Sequence, residues 1–222
     1  MTGRAHTTDG SRGVYDWWSR HPRLLDAFYT VVFAGREASI RGRSVAALGL
    51  EPGECVLELG CGPGNSLGPL RERVGGEGTV VAVDASGGMV RRARERVREA
   101  GWDNVHVFRG DATRLPLADG TFDAVYAAMS LSAMPDPLGG VAAAHGALRS
   151  DGRLVVLDAQ PFQHFPLTLL NLPLVPLFRA LTNWVPDVDL PAGIEARFAT
   201  TDLTTYTDGT LFVARARKDA HT

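Results

Sequence analysis

The sequence predicts an α/β fold built on a mostly parallel sheet. Three observations carry that prediction. Short Val-rich runs alternate with longer stretches of helical period, a glycine-rich turn follows the first of those runs, and the chain closes on a hairpin signal. With 222 residues, 45% of them hydrophobic and 22% charged, the chain can build one substantial core, so a single structural domain is expected. It divides into an N-terminal helical cap over 1–50 and a core over 51–222, the latter carrying an apolar insertion at 161–185.

From Val14 to Leu50, Trp17, Trp18, Leu24, Leu25, Phe28, Val31, Val32 and Phe33 recur at helical spacings. The pattern predicts two helices broken near His21-Pro22, because proline cannot continue a helix. After the turn "EPGE" the period changes, and "CVLEL", "TVVAVD", "NVHVFRGD", "FDAVYAAM" and "GRLVVLDA" read as strands flanked by turn residues. Between them lie helices such as Ser86 to Ala100, where Met89, Ala93 and Val97 share one face and arginines cover the other. Alternation of this kind implies a parallel sheet with right-handed crossovers. At the end, "IEARFATTDLTTY" and "TLFVARAR" read as strands joined across Thr207-Asp208-Gly209, so the sheet should finish with an antiparallel pair.

Composition excludes several classes of function. The formal net charge is −2, and Lys218 is the only lysine, which leaves no electrostatic case for nucleic acid. Cys55 and Cys61 have no metal-ligand partners at useful spacing, so no metal centre and a reduced, cytoplasmic setting are expected. The polar start "MTGRAHTTDGSRG" lacks the apolar core of a secretory signal and is expected to fray. No apolar run is long enough to span a bilayer.

The stretch "VLELGCGPGNS" ends the first core strand and opens a helix, the place where open α/β sheets bind ligands. Gly60, Gly62 and Gly64 allow backbone angles and a close approach that side chains would block. Two common glycine loops do not fit. The dinucleotide fingerprint wants glycine where Asn65 stands, which disfavours a nicotinamide dehydrogenase, and the Lys-Ser/Thr ending of a phosphate loop is missing. Asp84, closing "VVAVDAS", can accept hydrogen bonds from two ribose hydroxyls; capping the next helix is its other reading, although Ser86 could do that instead. Asp111, after the third strand, can accept from an adenine amino group with the Ala112 backbone reading the ring edge, or it is an ordinary turn residue.

Taken together, "VLELGCGPGNS", "VVAVDAS", "GDATRLPLADGTFDAVYAAMSL" and "LRSDGRLVVLD" make the segment from Pro52 to Ala159 resemble a class I S-adenosylmethionine-dependent methyltransferase. The resemblance implies a Rossmann-like three-layer sandwich whose seven-stranded sheet ends on an antiparallel strand, with S-adenosyl-L-methionine as cofactor. It further implies that Gly60, Cys61, Gly62 and Gly64 bend around the methionine and ribose, that Glu58 orients the methionine amino group, and that Asp84 takes the ribose. Ala85 and Met89 would flank the adenine, Asp111 and Ala112 would read its edge, and Met129 would line the pocket.

A sulfonium methyl is already activated, so in-line SN2 transfer needs mainly positioning and exclusion of water. Neither a triad nor a metal is required. Whether a base is needed depends on the acceptor; of Tyr15, His145 and His164, His145 reads as a surface residue, and Tyr15 and His164 are the candidates, each with packing as its alternative. Relatives often carry histidine or asparagine after the fourth strand, where this chain has "SLSAMPDP", and Ser130 and Ser132 are weak bases. The segment "FPLTLLNLPLVPLFRALTNW" is too broken by proline to span a bilayer. It reads as a helical cover for the sheet, or as an apolar lid for a hydrophobic or lipid-like acceptor presented at a membrane surface. Its position resembles the substrate-covering insertion of ubiquinone/menaquinone and phosphatidylethanolamine methyltransferases. The competing expectation is a catalytically silent cofactor-binding protein acting through a partner. Neither the acceptor nor the oligomeric state follows from the sequence.

Overall fold

The computed structural model describes residues 8–114 and 119–220, with side chains from residue 13 onward. Most of the polar start of the chain, and 115–118 within the third motif, lie outside the described residues.

Three helices precede the sheet: α1 (Thr8–Arg20), α2 (Pro22–Val32) and α3 (Glu37–Ala47). The break at Pro22 falls where expected, with proline in the first turn of α2. The expectation of two helices is corrected to three. Ala34 and Gly35 take positive φ values of 48° and 73° and turn the chain after α2, a conformation that ends helical hydrogen bonding.

The core then runs β1 (Cys55–Leu59), α4 (Leu67–Val74), β2 (Thr79–Asp84), α5 (Gly87–Ala100), β3 (Val105–Arg109), β4 (Phe122–Ala128), α6 (Pro137–Ala147), β5 (Leu148–Ala159), α7 (Asn171–Thr182), α8 (Leu190–Glu195), β6 (Thr200–Tyr206) and β7 (Leu211–Arg217). One seven-stranded sheet takes the order β3-β2-β1-β4-β5-β7-β6. Strands β1 to β5 pair in parallel, with Leu57 opposite both Val81 and Val125, while β7 is antiparallel to β5 and to β6. Every residue of β4 is buried, so the central strands read as continuous apolar runs, as expected for strands covered on both faces.

Two cores flank the sheet. Ile40, Val45, Leu67, Leu70, Val90 and Ala93 pack on one face with Val56 and Tyr126. Val141, Ala144, Leu190 and Ile194 pack on the other with Leu57 and Leu59. This is the expected three-layer sandwich. Alternation along β1 therefore sends Glu58 to the same side as α3 and α4.

The strand expected from Ile194 is corrected to a helix followed by a strand from Thr200. Asp189 caps α8 by accepting from the Ala192 amide at 3.0 Å, Pro191 sits in the first turn, and Ile194 is buried. Within 161–185 a 3-10 turn over Leu167–Leu170 leads into α7, no residue of which is buried. No helix of the described residues is long and apolar enough to cross a membrane.

Candidate functional site

The chain order reverses between β1 and β4, and two adjoining cavities open at the carboxyl ends of these strands, as expected at a topological switch point. Of the residues read from the sequence as cofactor contacts, Gly60, Cys61, Gly62, Asp84, Ala85, Met89, Asp111, Ala112 and Met129 line the first cavity. Glu58 and Gly64 do not.

Each of those two has a visible role in the wall. A Cβ at Gly64 would stand 2.7 Å from Leu67 and 3.4 Å from Ala93, so this glycine lets the loop pack against α4 and α5. Glu58 is buried behind the loop, with Oε2 lacking a hydrogen-bond partner among the described residues. Burial pushes its carboxyl up to about 7, with the Arg41 guanidinium and Ser66 pulling the other way. Gly60 is held by sterics instead. Its φ is 69°, and a Cβ would meet that of Ser130 at 2.4 Å.

Asp84 organises the loop. Its two oxygens accept from the Gly62 amide and the Ser86 amide, both at 2.8 Å, while Ser86 caps α5 by accepting from Met89 at 3.2 Å. The carboxylate and the cap are thus separate jobs held by separate residues. Burial raises the Asp84 pKa and the two amides lower it. Asp111 closes a local turn, accepting from the Thr113 amide at 3.0 Å and its hydroxyl at 2.7 Å, and still lines the cavity.

Tyr29, Arg41, Asn65 and Ser86 are among the wall residues that lay outside the sequence reading. Arg41 is buried on α3, donating to Ser66 Oγ at 2.9 Å and to Glu37 Oε1 at 3.0 Å, with Nε left without a partner among the described residues. The sequence did carry a signal for it, since a charged residue falls between Ile40 and Ser44 on the buried stripe of that helix. Asp16 of α1 accepts from Ser86 Oγ at 2.5 Å and from the Gly88 amide at 3.2 Å, pinning α1 over the start of α5.

The second cavity, of about 290 Å3, shares Tyr15, Tyr29, Met129 and Ala133 with the first. Its remaining wall is largely aromatic and aliphatic, with Trp18, Phe28, Phe178 and Trp184 prominent. Phe178 lies 5.7 Å from Phe28 and 6.2 Å from Trp184, ring centre to ring centre. Met129, at the junction, holds a φ of 54°, a strained conformation of the kind that collects at functional sites.

The two base candidates part company here. Tyr15 lies at the junction, its hydroxyl donating to the Thr182 carbonyl at 2.7 Å, and burial holds its phenol well above the ordinary value. His164 is exposed at the bend before the 3-10 turn and lines neither cavity. Ser130 donates to the Leu59 carbonyl and Ser132 to the buried Asp158 carboxylate, so both serine protons are committed to structure. No cluster of His, Cys, Asp or Glu among the described residues could hold a metal ion.

The first cavity fits S-adenosylmethionine by its chemistry. Its wall carries the Arg41 guanidinium, the carboxylates of Asp84 and Asp111, and the apolar Ala85, Met89 and Ala112, and a zwitterion, a ribose and an adenine call for groups of these kinds.

Comparison with known proteins agrees. A family model described as a methyltransferase domain matches residues 56–152. The chain is 33% identical over 150 residues to aklanonic acid methyltransferase DauC of Streptomyces sp. (strain C5), covering 66% of each chain. It is 36% identical over 166 residues to the demethylmenaquinone methyltransferase of Thermobifida fusca, covering 75% of this chain and 64% of that one. It thus spans slightly less than two thirds of the length of these relatives. Among solved structures, an S-adenosylmethionine-dependent methyltransferase from Aquifex aeolicus superposes with a TM-score of 0.57 at 21% identity, over 80% of this chain and 88% of that one, a likeness of fold. Residues 56–152 thus match the methyltransferase-domain family, and the chain is similar over 66% to 75% of its length to named methyltransferases.

Proposed function

We propose that the protein transfers the methyl group of S-adenosylmethionine to a small, largely apolar acceptor held in the second cavity. The observation that carries this reading is the shared wall of Tyr15, Tyr29, Met129 and Ala133, which leaves no separating layer between a cavity suited to the cofactor and one suited to an apolar ring system. When bound, the cofactor supplies a methyl group whose leaving group is a neutral thioether.

The chain's own contribution is binding, orientation and dryness. Asp84 is fixed by two loop amides and retains a lone pair on each oxygen for the ribose hydroxyls. Arg41, on the wall, offers its guanidinium to the methionine carboxylate, and Glu58, buried behind the loop with Oε2 unpartnered among the described residues, serves the amino group through a bridging water. Ala85, Met89 and Ala112 sandwich the base, and Asp111 accepts from its edge. Helices α1 and α7 close the acceptor side, tied together by the Tyr15 hydroxyl on Thr182 and by Trp18 Nε1 on the Leu181 carbonyl at 2.8 Å.

Leu172 and Leu177 on the outer side of α7 are 78% and 50% exposed, which suits an acceptor with a lipid-like portion presented at a surface. Calorimetric binding of S-adenosylhomocysteine, followed by a screen for its release from S-adenosylmethionine with naphthols, quinols and amines, tests the reading. Micromolar binding and turnover with an apolar acceptor are expected. Absence of binding to folded protein would overturn it, and tight binding without turnover for any acceptor would favour a silent cofactor-binding protein.

A further inference from the structure

Among the described residues, no Asp, Glu, Lys, Arg or His lines the second cavity. Its side-chain donors are nearly all committed to the fold. Trp18 donates to the Leu181 carbonyl, Tyr15 to that of Thr182, Asn171 to that of Phe162 and Gln160 to that of Gly209, at 2.7 to 2.9 Å. Trp184 reaches the Ala159 carbonyl at 3.4 Å, and Ser132 donates to Asp158 at 2.6 Å. The threonine hydroxyls of 182 and 210 donate within their own turns.

Thr207 Oγ1 accepts from Arg36 at 3.3 Å; among the described residues Tyr29 alone of these polar side chains has no hydrogen-bond partner at all. It lines both cavities, its ring is fixed between Phe28 and Phe33 at 5.9 and 6.2 Å, and its hydroxyl has no hydrogen-bond partner among the described residues. A polar group held on a rigid ring at the meeting point of two ligand cavities, and left unpaired there, points to a partner on the ligand.

We propose that the Tyr29 hydroxyl donates a hydrogen bond to an ionised oxygen of the acceptor where the two cavities meet, and so sets the acceptor's position and selects its class: an apolar ring system bearing an acidic hydroxyl. This deepens the function proposed above and rests on it. Burial pushes the Tyr29 phenol up to about 12, against the pull of Arg41 and with small contributions from Glu37, Asp84 and Asp158. The group therefore donates a hydrogen bond at neutral pH and does not take a proton. No proton changes hands, because the acceptor arrives ionised, and a wall without a base is then sufficient. The Arg41 guanidinium in the adjoining wall adds positive potential at the same point. In this role Tyr29 positions the acceptor, which neither Tyr15, with its proton on Thr182, nor the exposed His164 can do.

The test uses 4-nitro-1-naphthol, ionised at about pH 8 while Tyr29 keeps its proton, and its methyl ether, both titrated into protein saturated with S-adenosylhomocysteine. Wild-type protein should prefer the naphtholate to the ether. Tyr29→Phe should bind the naphtholate about tenfold more weakly, as expected for one hydrogen bond to a charged group, while its affinity for the ether stays within about twofold. His164→Ala, at a residue that lines neither cavity, should leave the naphtholate within about twofold. Equal losses for both probes in Tyr29→Phe, no loss for either, or no preference in the wild type would overturn the proposal. So would a Tyr29→Phe variant that loses S-adenosylhomocysteine and keeps the naphtholate, since its hydroxyl would then belong to the cofactor. Wild-type protein that does not bind S-adenosylhomocysteine would remove the underlying cofactor reading, and the same titrations on the unloaded protein would still decide the role of Tyr29.

Discussion

The two adjoining cavities are built on opposite principles. The cofactor side uses charge: Asp84 and Asp111 on its wall, Arg41 buried in it, and Glu58 directly behind. The acceptor side uses none among the described residues, and relies on Trp18, Phe28, Phe178 and Trp184. A zwitterion with a ribose can be recognised only by polar groups placed at fixed points, because burying a charge without a partner is costly. An apolar ring is held by shape and area, which many side chains supply equally well. The contrast predicts that substitutions will separate cleanly by side.

Asp84→Ala should have the largest effect. It removes the proposed acceptor of two ribose hydroxyls and the anchor of the Gly62 and Ser86 amides, so S-adenosylhomocysteine affinity should fall by about a hundredfold, or ~3 kcal/mol. Arg41→Gln should cost about thirtyfold for S-adenosylhomocysteine and almost nothing for 5′-methylthioadenosine, which lacks the amino-acid part. Comparable losses for the two ligands in calorimetry would mean that Arg41 shapes the wall and does not contact the carboxylate.

Glu58 gives the cofactor side a pH signature. Its folded pKa, about 7, lies above the ordinary value of 4.5, so the folded state holds the proton more tightly than the unfolded one. Its contribution to stability is therefore full below the ordinary value and is lost as pH rises towards 7. Ligand binding has the opposite slope. An ammonium partner requires the carboxylate, so S-adenosylhomocysteine affinity should fall by up to about tenfold per unit as pH drops below 7, and Glu58→Gln should flatten both profiles. A wild-type affinity independent of pH from about 5.5 to 8 would exclude Glu58 from the amino-group contact.

On the acceptor side, Phe178→Ala should weaken binding of the naphthol methyl ether by about tenfold through lost apolar area, with S-adenosylhomocysteine affinity unchanged. His164→Ala should change neither ligand by more than about twofold, and a larger effect on turnover would return His164 to the site.

How much of this was legible in the sequence follows the same division. The sheet, its antiparallel finish and most of the cofactor wall are encoded in contiguous motifs, because a strand, a glycine turn and a carboxylate act within one βα unit. Gly64 could be named as important but not explained, since whether its missing Cβ serves a ligand or Leu67 depends on packing. Arg41 and Tyr29 escaped because they reach the site from helices distant in sequence, where a single polar residue on an apolar stripe carries no motif. Ile194 was read as strand because six residues are too few to display a helical period; the cap at Asp189 decided it. The acceptor cavity, assembled from 15–32, 129–133 and 159–184 together with the β6–β7 turn, has no local signature at all.

The central claim is that the cofactor's sulfur and the acceptor meet at the wall formed by Tyr15, Tyr29, Met129 and Ala133. A crystal structure with bound S-adenosylhomocysteine tests it most directly. The sulfur should face that wall, with the ribose on Asp84, the carboxylate on Arg41 and the second cavity open in front of it. A sulfur turned towards solvent or separated from the aromatic cavity, or a ligand seated among Trp18, Phe178 and Trp184, would contradict the claim.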